Sequence, residues 1–235
     1  MEKRKRRSAC DIDISANLFN NPAVGDLLKR IGGIFVEKSV AFFLFNRPQT
    51  TKRVFAQIQA AKPKKLFLIA DGPRKDRKGE EELCNQARKV VEEIQWDCEV
   101  FKNFSATNLG CKERLASGLS WVFSQVPQTI ILEDDCLPHP SFFPFCWELL
   151  EKYKYEEKVG MINGHSLDTP PKDDQSYYFS RYGHVWGWAS WQRVWKDYDQ
   201  DIKSWPEVKK LGILDKIFKK LEALYWKRVF QKFYK

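Results

Sequence analysis

Three consecutive acids, Glu133, Asp134 and Asp135, follow the apolar run TIIL at 129–132 and precede Cys-Leu-Pro. In extended backbone alternate side chains share a face, so Glu133 and Asp135 are expected on one side and Asp134 on the other. Two carboxylates converging at a strand mouth make a hard oxygen site. It suits Mg²⁺ or Mn²⁺, which leave coordination positions open for substrate phosphates. The plainer alternative is that the acids cap a strand where it meets water. Crowded carboxylates after a buried strand repel one another unless a cation or a donor group neutralises them. The other strand ends supply an arginine, Arg47 in LFNRPQTT, an acid, Asp71 in LIADGPR, and Asn163-Gly164-His165 after KVGMI.

The elements that must position these residues are legible from periodicity. SVAFFLF at 39–45 is a short apolar run that reads as a buried strand, and Pro48 opens a helix carrying Val54, Phe55 and Ile58 at helical spacing. KKLFLIADG is a second strand ending on the turn signature Asp71-Gly72-Pro73, followed by a charged helix at 79–95 expected to be a solvated face. DCEVFKNF is a third strand, and CKERLASGLSWVFSQ a helix with Leu115, Leu119, Val122 and Phe123 on its apolar side. TIILEDD is a fourth strand, SFFPFCWELLEKY a helix and KVGMING a fifth strand. Alternation of this kind predicts an α/β fold with a mostly parallel sheet and helices on both faces. In such sheets ligands bind outside the carboxyl ends of the strands, where Asn46-Arg47, Asp71-Gly72, the acidic trio and 163–165 are all expected.

With those residues in place the sequence resembles the GT-A nucleotide-sugar glycosyltransferases. IILEDDCLPHPSFFPFCWELLEKY is similar to their metal-binding segment, with Glu-Asp-Asp in place of Asp-x-Asp. The likeness is to N-acetylglucosaminyltransferase I-like enzymes and bacterial family 2-like relatives, and it runs from about residue 39 to 196. It implies a GT-A, Rossmann-like sheet, a UDP-sugar or similar donor, Mn²⁺ or Mg²⁺ as cofactor, and a glycan, lipid-linked or small-molecule acceptor. It further implies inversion at the sugar. By the same resemblance Arg47 contacts the nucleotide, Asp71 the uracil, and Lys112 and Arg114 approach the donor. Asp135 ligates the metal, while Glu133 and Asp134 hold hydroxyls or outer-shell water. RYGHVWGWASW is similar to the segment that closes over the donor sugar, which would put Trp186, Gly187 and Trp188 near the donor sugar or acceptor.

The relatives carry their catalytic base on a later acidic, Trp-containing stretch. Here the candidates are Asp197, Asp199 and Asp201, and the sequence is expected to be a fragment that retains the donor half of the site. The tryptophans at 186–195 are read equally as an acceptor platform or as core. His165 and His184 are expected to be structural histidines, with an approach to metal or phosphate as the alternative, and His139 is assigned to a loop.

Composition bounds the rest. The 235 residues are 43% hydrophobic and 14% aromatic, enough for a core. The net charge of +9 is concentrated in residues 1–7 and 201–235, leaving a nearly neutral body. That distribution argues against a nucleic-acid binder and suits peripheral contact with an anionic membrane. Residues 1–38 are expected to be a loosely attached arm, 39–200 the α/β domain and 201–235 a basic amphipathic extension, with Leu214, Ile217, Leu221, Leu224 and Phe230 along one side. Six cysteines without a C-x-x-C pair, no leader h-region and no apolar span predict a reduced, cytoplasmic setting. Two rival readings remain: a catalytically silent module on the same fold, and a sugar-phosphate nucleotidyltransferase. The latter would want a Gly-rich basic loop after the first strand, and NRPQTT is not one.

Overall fold

In a computed structural model, residues 38–165 and 176–234 are described; the basic run at 1–7, the rest of the N-terminal arm and Cys10 lie outside them. Six strands form one sheet: β1 Ser39–Leu44, β2 Lys65–Ala70, β3 Glu99–Phe104, β4 Gln128–Glu133, β5 Ile162–Asn163 and β6 Trp188–Trp191. Their spatial order is β3-β2-β1-β4-β6-β5. β1 pairs in parallel with both β2 and β4, and β2 in parallel with β3.

The helices between them are α1 Pro48–Ala61, α2 Glu80–Val90, α3 Cys111–Phe123, α4 Phe142–Lys152 and the short α5 Gln192–Trp195. Strand alternation divides the core. Val40, Phe42 and Leu44 pack with Val54, Phe55 and Ile58 of α1, Ala87 of α2 and Cys146 and Leu150 of α4. Ala41 and Phe43 face the other way, against Leu119, Val122 and Phe123 of α3. Right-handed crossovers explain the change of face. From β1 to β3 the chain steps outward in one direction, and α3 must cover the opposite face to bring β4 back to the far side of β1. The reversal makes the β1–β4 boundary a topological switch point, as in Rossmann-like nucleotide-binding folds.

The sheet is mostly parallel, as expected, and the parallel plan stops at its far edge. β5 shrinks to two residues and pairs antiparallel with β6, which itself runs antiparallel to β4. All four residues of β6 are buried, so the sequence WASW is a core strand. Its side chains alternate between the two faces: Trp188 joins the α3 side, whereas Ala189 and Trp191 join the α1 and α4 side. Burying each such indole contributes roughly 1.5–3 kcal/mol or more, which holds β6 between β4 and β5.

The chain divides into a first unit ending at Trp195 and a second, Lys196–Lys235. The second is three helices, α6 Trp205–Lys210, α7 Ile213–Ile217 and α8 Lys220–Phe233, around Trp205, Leu214 and Ala223. The expected continuous apolar side is not formed. The chain turns at Gly212, where φ is +61°, and becomes extended at Phe218, so Leu214 points inward while Leu221 is 81% exposed.

Candidate functional site

The carboxyl ends of β1 and β4 are tied together by charge. Phe43 is in register with Glu133. Beyond that pair β4 ends, and Asp134 and Asp135 form a turn in which the Cys136 N–H donates to the Glu133 carbonyl at 3.0 Å. Strand alternation therefore does not separate Asp134 from Asp135. Arg47 Nη1 donates to Asp134 Oδ1 at 2.8 Å and to Asp135 Oδ2 at 2.7 Å. The second Asp134 oxygen accepts the Phe45 N–H at 3.0 Å. Asp134 is buried and clamps the β1 end, whereas Asp135 stays partly exposed.

Glu133 has neither of these donors. Burial, and then the neighbouring Asp135 and Asp134, push its carboxyl up to about 7. Asp134 is also raised, by burial first, against the opposing Phe45 N–H and Arg47. Cys111, the first residue of α3, stands in the same field: burial and then Glu133, Asp135 and Asp71 raise its thiol. The amino end of α3, the trio and the end of β2 thus converge.

Asp71 builds a loop. Its carboxylate accepts the N–H groups of Gly72, Leu109 and Gly110 and the Asn108 side-chain amide, at 2.9–3.2 Å. A carboxylate offers about four lone-pair positions, and here they are used inside the protein. A Cβ on Gly72 would lie 2.5 Å from the Thr107 carbonyl carbon, so the two loops approach backbone to backbone. Arg88 adds bonds from Nη2 to the carbonyls of Asp71 and Ser105.

Two further expectations change. The helix at 79–95 is shorter and not wholly solvated. Glu80 in its first turn is buried, accepts from Asn46 at 2.9 Å and from the Arg74 N–H and guanidinium, and is held at about 2 chiefly by Arg74. Arg114 does not reach outward: it is buried, and Nη2 donates to the Asn103 carbonyl and side-chain oxygen at the end of β3. Burial lowers its pKa. Lys112, on the same turn of α3, is exposed.

The tryptophan segment splits by residue. Trp188 is core. Gly187 has φ +73° and its carbonyl accepts the Gly164 N–H at 3.1 Å. Trp186 is 44% exposed, stacks on His184 with centroids 6.2 Å apart, and meets His165 edge-on at 5.4 Å. Asp197, Asp199 and Asp201 belong to the second unit. The Asp199 carboxylate accepts the N–H groups of Ser204 and Asp201 in a turn, which lower its pKa; a general base would need the opposite environment.

Among the described residues no group of three or more His, Cys, Asp and Glu could hold a metal ion unaided. The described cysteines are free thiols, and no described helix is long and apolar enough to cross a membrane.

No known protein family matches this sequence, and no curated protein matches it either. Among solved structures the chain is similar to a 4-diphosphocytidyl-2C-methyl-D-erythritol synthase from Anaerococcus prevotii. The identity is 13%, the coverage 67% of this chain and 73% of that one, and the TM-score 0.38.

Signals for some of these positions were faint. Asn46, Asn108 and Glu80 are single polar residues whose importance arises from loops meeting in space. The hint for Asn108 is its place just before Gly110, whose φ of +81° marks a forced turn into α3.

Proposed function

We propose that the carboxyl edge of the sheet binds a nucleotide-sugar donor, UDP-sugar favoured, with Mn²⁺ or Mg²⁺, and that the protein is a GT-A-type glycosyltransferase. The observation that carries this reading is the placement of Arg47 and the acidic trio together at the β1–β4 switch point. A cation there fits the residues present. The donors are hard carboxylate oxygens, and Glu133 is held at about 7 by burial and then by Asp135 and Asp134, whose repulsion a cation would relieve.

Asp135, the partly exposed member, would hold the metal, with the diphosphate completing the coordination that the protein alone does not supply. When bound, the cation supplies positive charge for the departing nucleoside diphosphate. Asp134 acts as the clamp that fixes Arg47 and the β1 end. Glu133 is suited to a donor hydroxyl or an outer-shell water. Asp71 serves the site by ordering the loop at 105–110 rather than by touching the base directly. Lys112 is an exposed positive group for the donor phosphates. The acceptor is a glycan, a lipid-linked saccharide or a small molecule, reached with inversion, and the basic second unit suits contact with an anionic membrane surface.

Titration calorimetry with UDP, GDP, CDP and dTDP in Mn²⁺ tests the donor class. The proposal expects UDP to bind at least tenfold more tightly than the others; equal weak binding of all four would count against a nucleotide site of this kind.

A further inference from the structure

We propose that His165, through Nε2, accepts the proton of the attacking hydroxyl in the transfer reaction; the assignment rests on the donor site described above. Its position follows from pairing. Ile131 of β4 faces Trp188 of β6, and Trp188 also faces Asn163 of β5. β5 and β4 both run antiparallel to β6, so their carboxyl ends lie on the same edge of the sheet. Just past β5 the Gly164 N–H bonds the Gly187 carbonyl, and the His165 ring lies beside Trp186. His165 thus stands on the same carboxyl edge as the acids, displaced from them across β6. Two inter-strand spacings, about 10 Å, separate β4 from β5.

The imidazole is held but not used. Trp186 meets it edge-on at 5.4 Å and His184 at 6.2 Å, and the His184 N–H donates to Asn163 Oδ1 at 3.0 Å, which secures the supporting segment. Among the described residues Nε2 is buried without a hydrogen-bond partner. A desolvated ring nitrogen left unpaired is destabilising, and a ligand hydroxyl would satisfy it. Burial, and then His184, which is a like charge when protonated, lower the His165 pKa and keep the ring neutral. The acidic alternatives are less suited: Asp199 is consumed by its turn, and a metal would hold the trio ionised at the donor.

In the step itself the bond from the anomeric carbon to the β-phosphate oxygen breaks. The hydroxyl oxygen bonds that carbon, its proton passes to Nε2, and the nucleoside diphosphate leaves with the electron pair. The imidazolium then returns the proton to solvent.

The test measures UDP release from UDP-sugars with water as acceptor, alongside UDP–Mn²⁺ affinity and melting temperature, for wild type, His165→Gln and His184→Gln. The expected result is a loss of ~100-fold or more in kcat for His165→Gln, with UDP affinity and melting temperature unchanged. His184→Gln should stay active, with the acidic limb of its pH profile moved upward. Release by His165→Gln within about threefold of wild type, or wild-type UDP binding with no release from any donor, overturns the base. Failure of wild type to bind UDP overturns the donor site itself.

Discussion

A carboxyl group held at about 7 at the end of a buried strand makes stability depend on pH with a definite sign. Glu133 binds its proton more tightly in the folded protein than at its ordinary 4.5, so its contribution is fully present below about 4.5 and is lost as pH rises through 7. Replacing it with the neutral, near-isosteric glutamine removes that loss. Thermal denaturation of Glu133→Gln should therefore match wild type near pH 5 and exceed it at pH 8 by on the order of 2 kcal/mol. Parallel pH dependences of the two proteins would show that burial and the neighbouring acids do not raise Glu133. Glu80 has the opposite character. Held at about 2 by Arg74, it stabilises above its ordinary 4.5 and loses that contribution as pH falls towards 2. The trio's types and adjacency were legible in the sequence. The division of labour within it was not, because alternation applies only while the strand lasts, and β4 stops at Glu133.

At the scale of elements, the loops after β2 and β3 behave as one unit through Asp71 and Gly72. An alanine at 72 would drive its methyl into the Thr107 backbone, which has no flexible side chain to yield. Gly72→Ala should cost about 1–3 kcal/mol and release the Leu109 and Gly110 amides, which now donate to Asp71, to faster hydrogen exchange. Unchanged exchange at those amides would show that the loop does not depend on this approach. The four parallel strands and their helices were readable because each apolar run is short and bounded by turn residues. β6 was not, because its side chains are buried on both faces and WASW lacks the polar alternation of a half-exposed strand. The partner of Arg114 was hidden for a related reason. This arginine falls among the polar residues of an amphipathic helix, yet turns back to cap the end of β3.

For the molecule as a whole, the switch point follows from strand order, and strand order follows from the face each crossover helix takes. The apolar positions of α1 and α3 were visible in the sequence, but the face each would cover was not, since covering either side satisfies the same pattern. The second unit shows the same limit, where a helical pattern at 206–235 resolved into three helices because Gly212 and Phe218 break it. The segregation of charge, by contrast, needed no structure. A nearly neutral body with a clamped acidic edge hosts a phosphorylated ligand only if a cation comes with it. Calorimetric titration of UDP into wild type and Asp135→Ala, each with and without Mn²⁺, tests it most directly. Wild type should bind UDP at least tenfold more tightly with Mn²⁺ than without, and Asp135→Ala should lose that gain, a difference of about 1.4 kcal/mol or more. Equal affinity with and without the metal, or a gain that survives in Asp135→Ala, would contradict it.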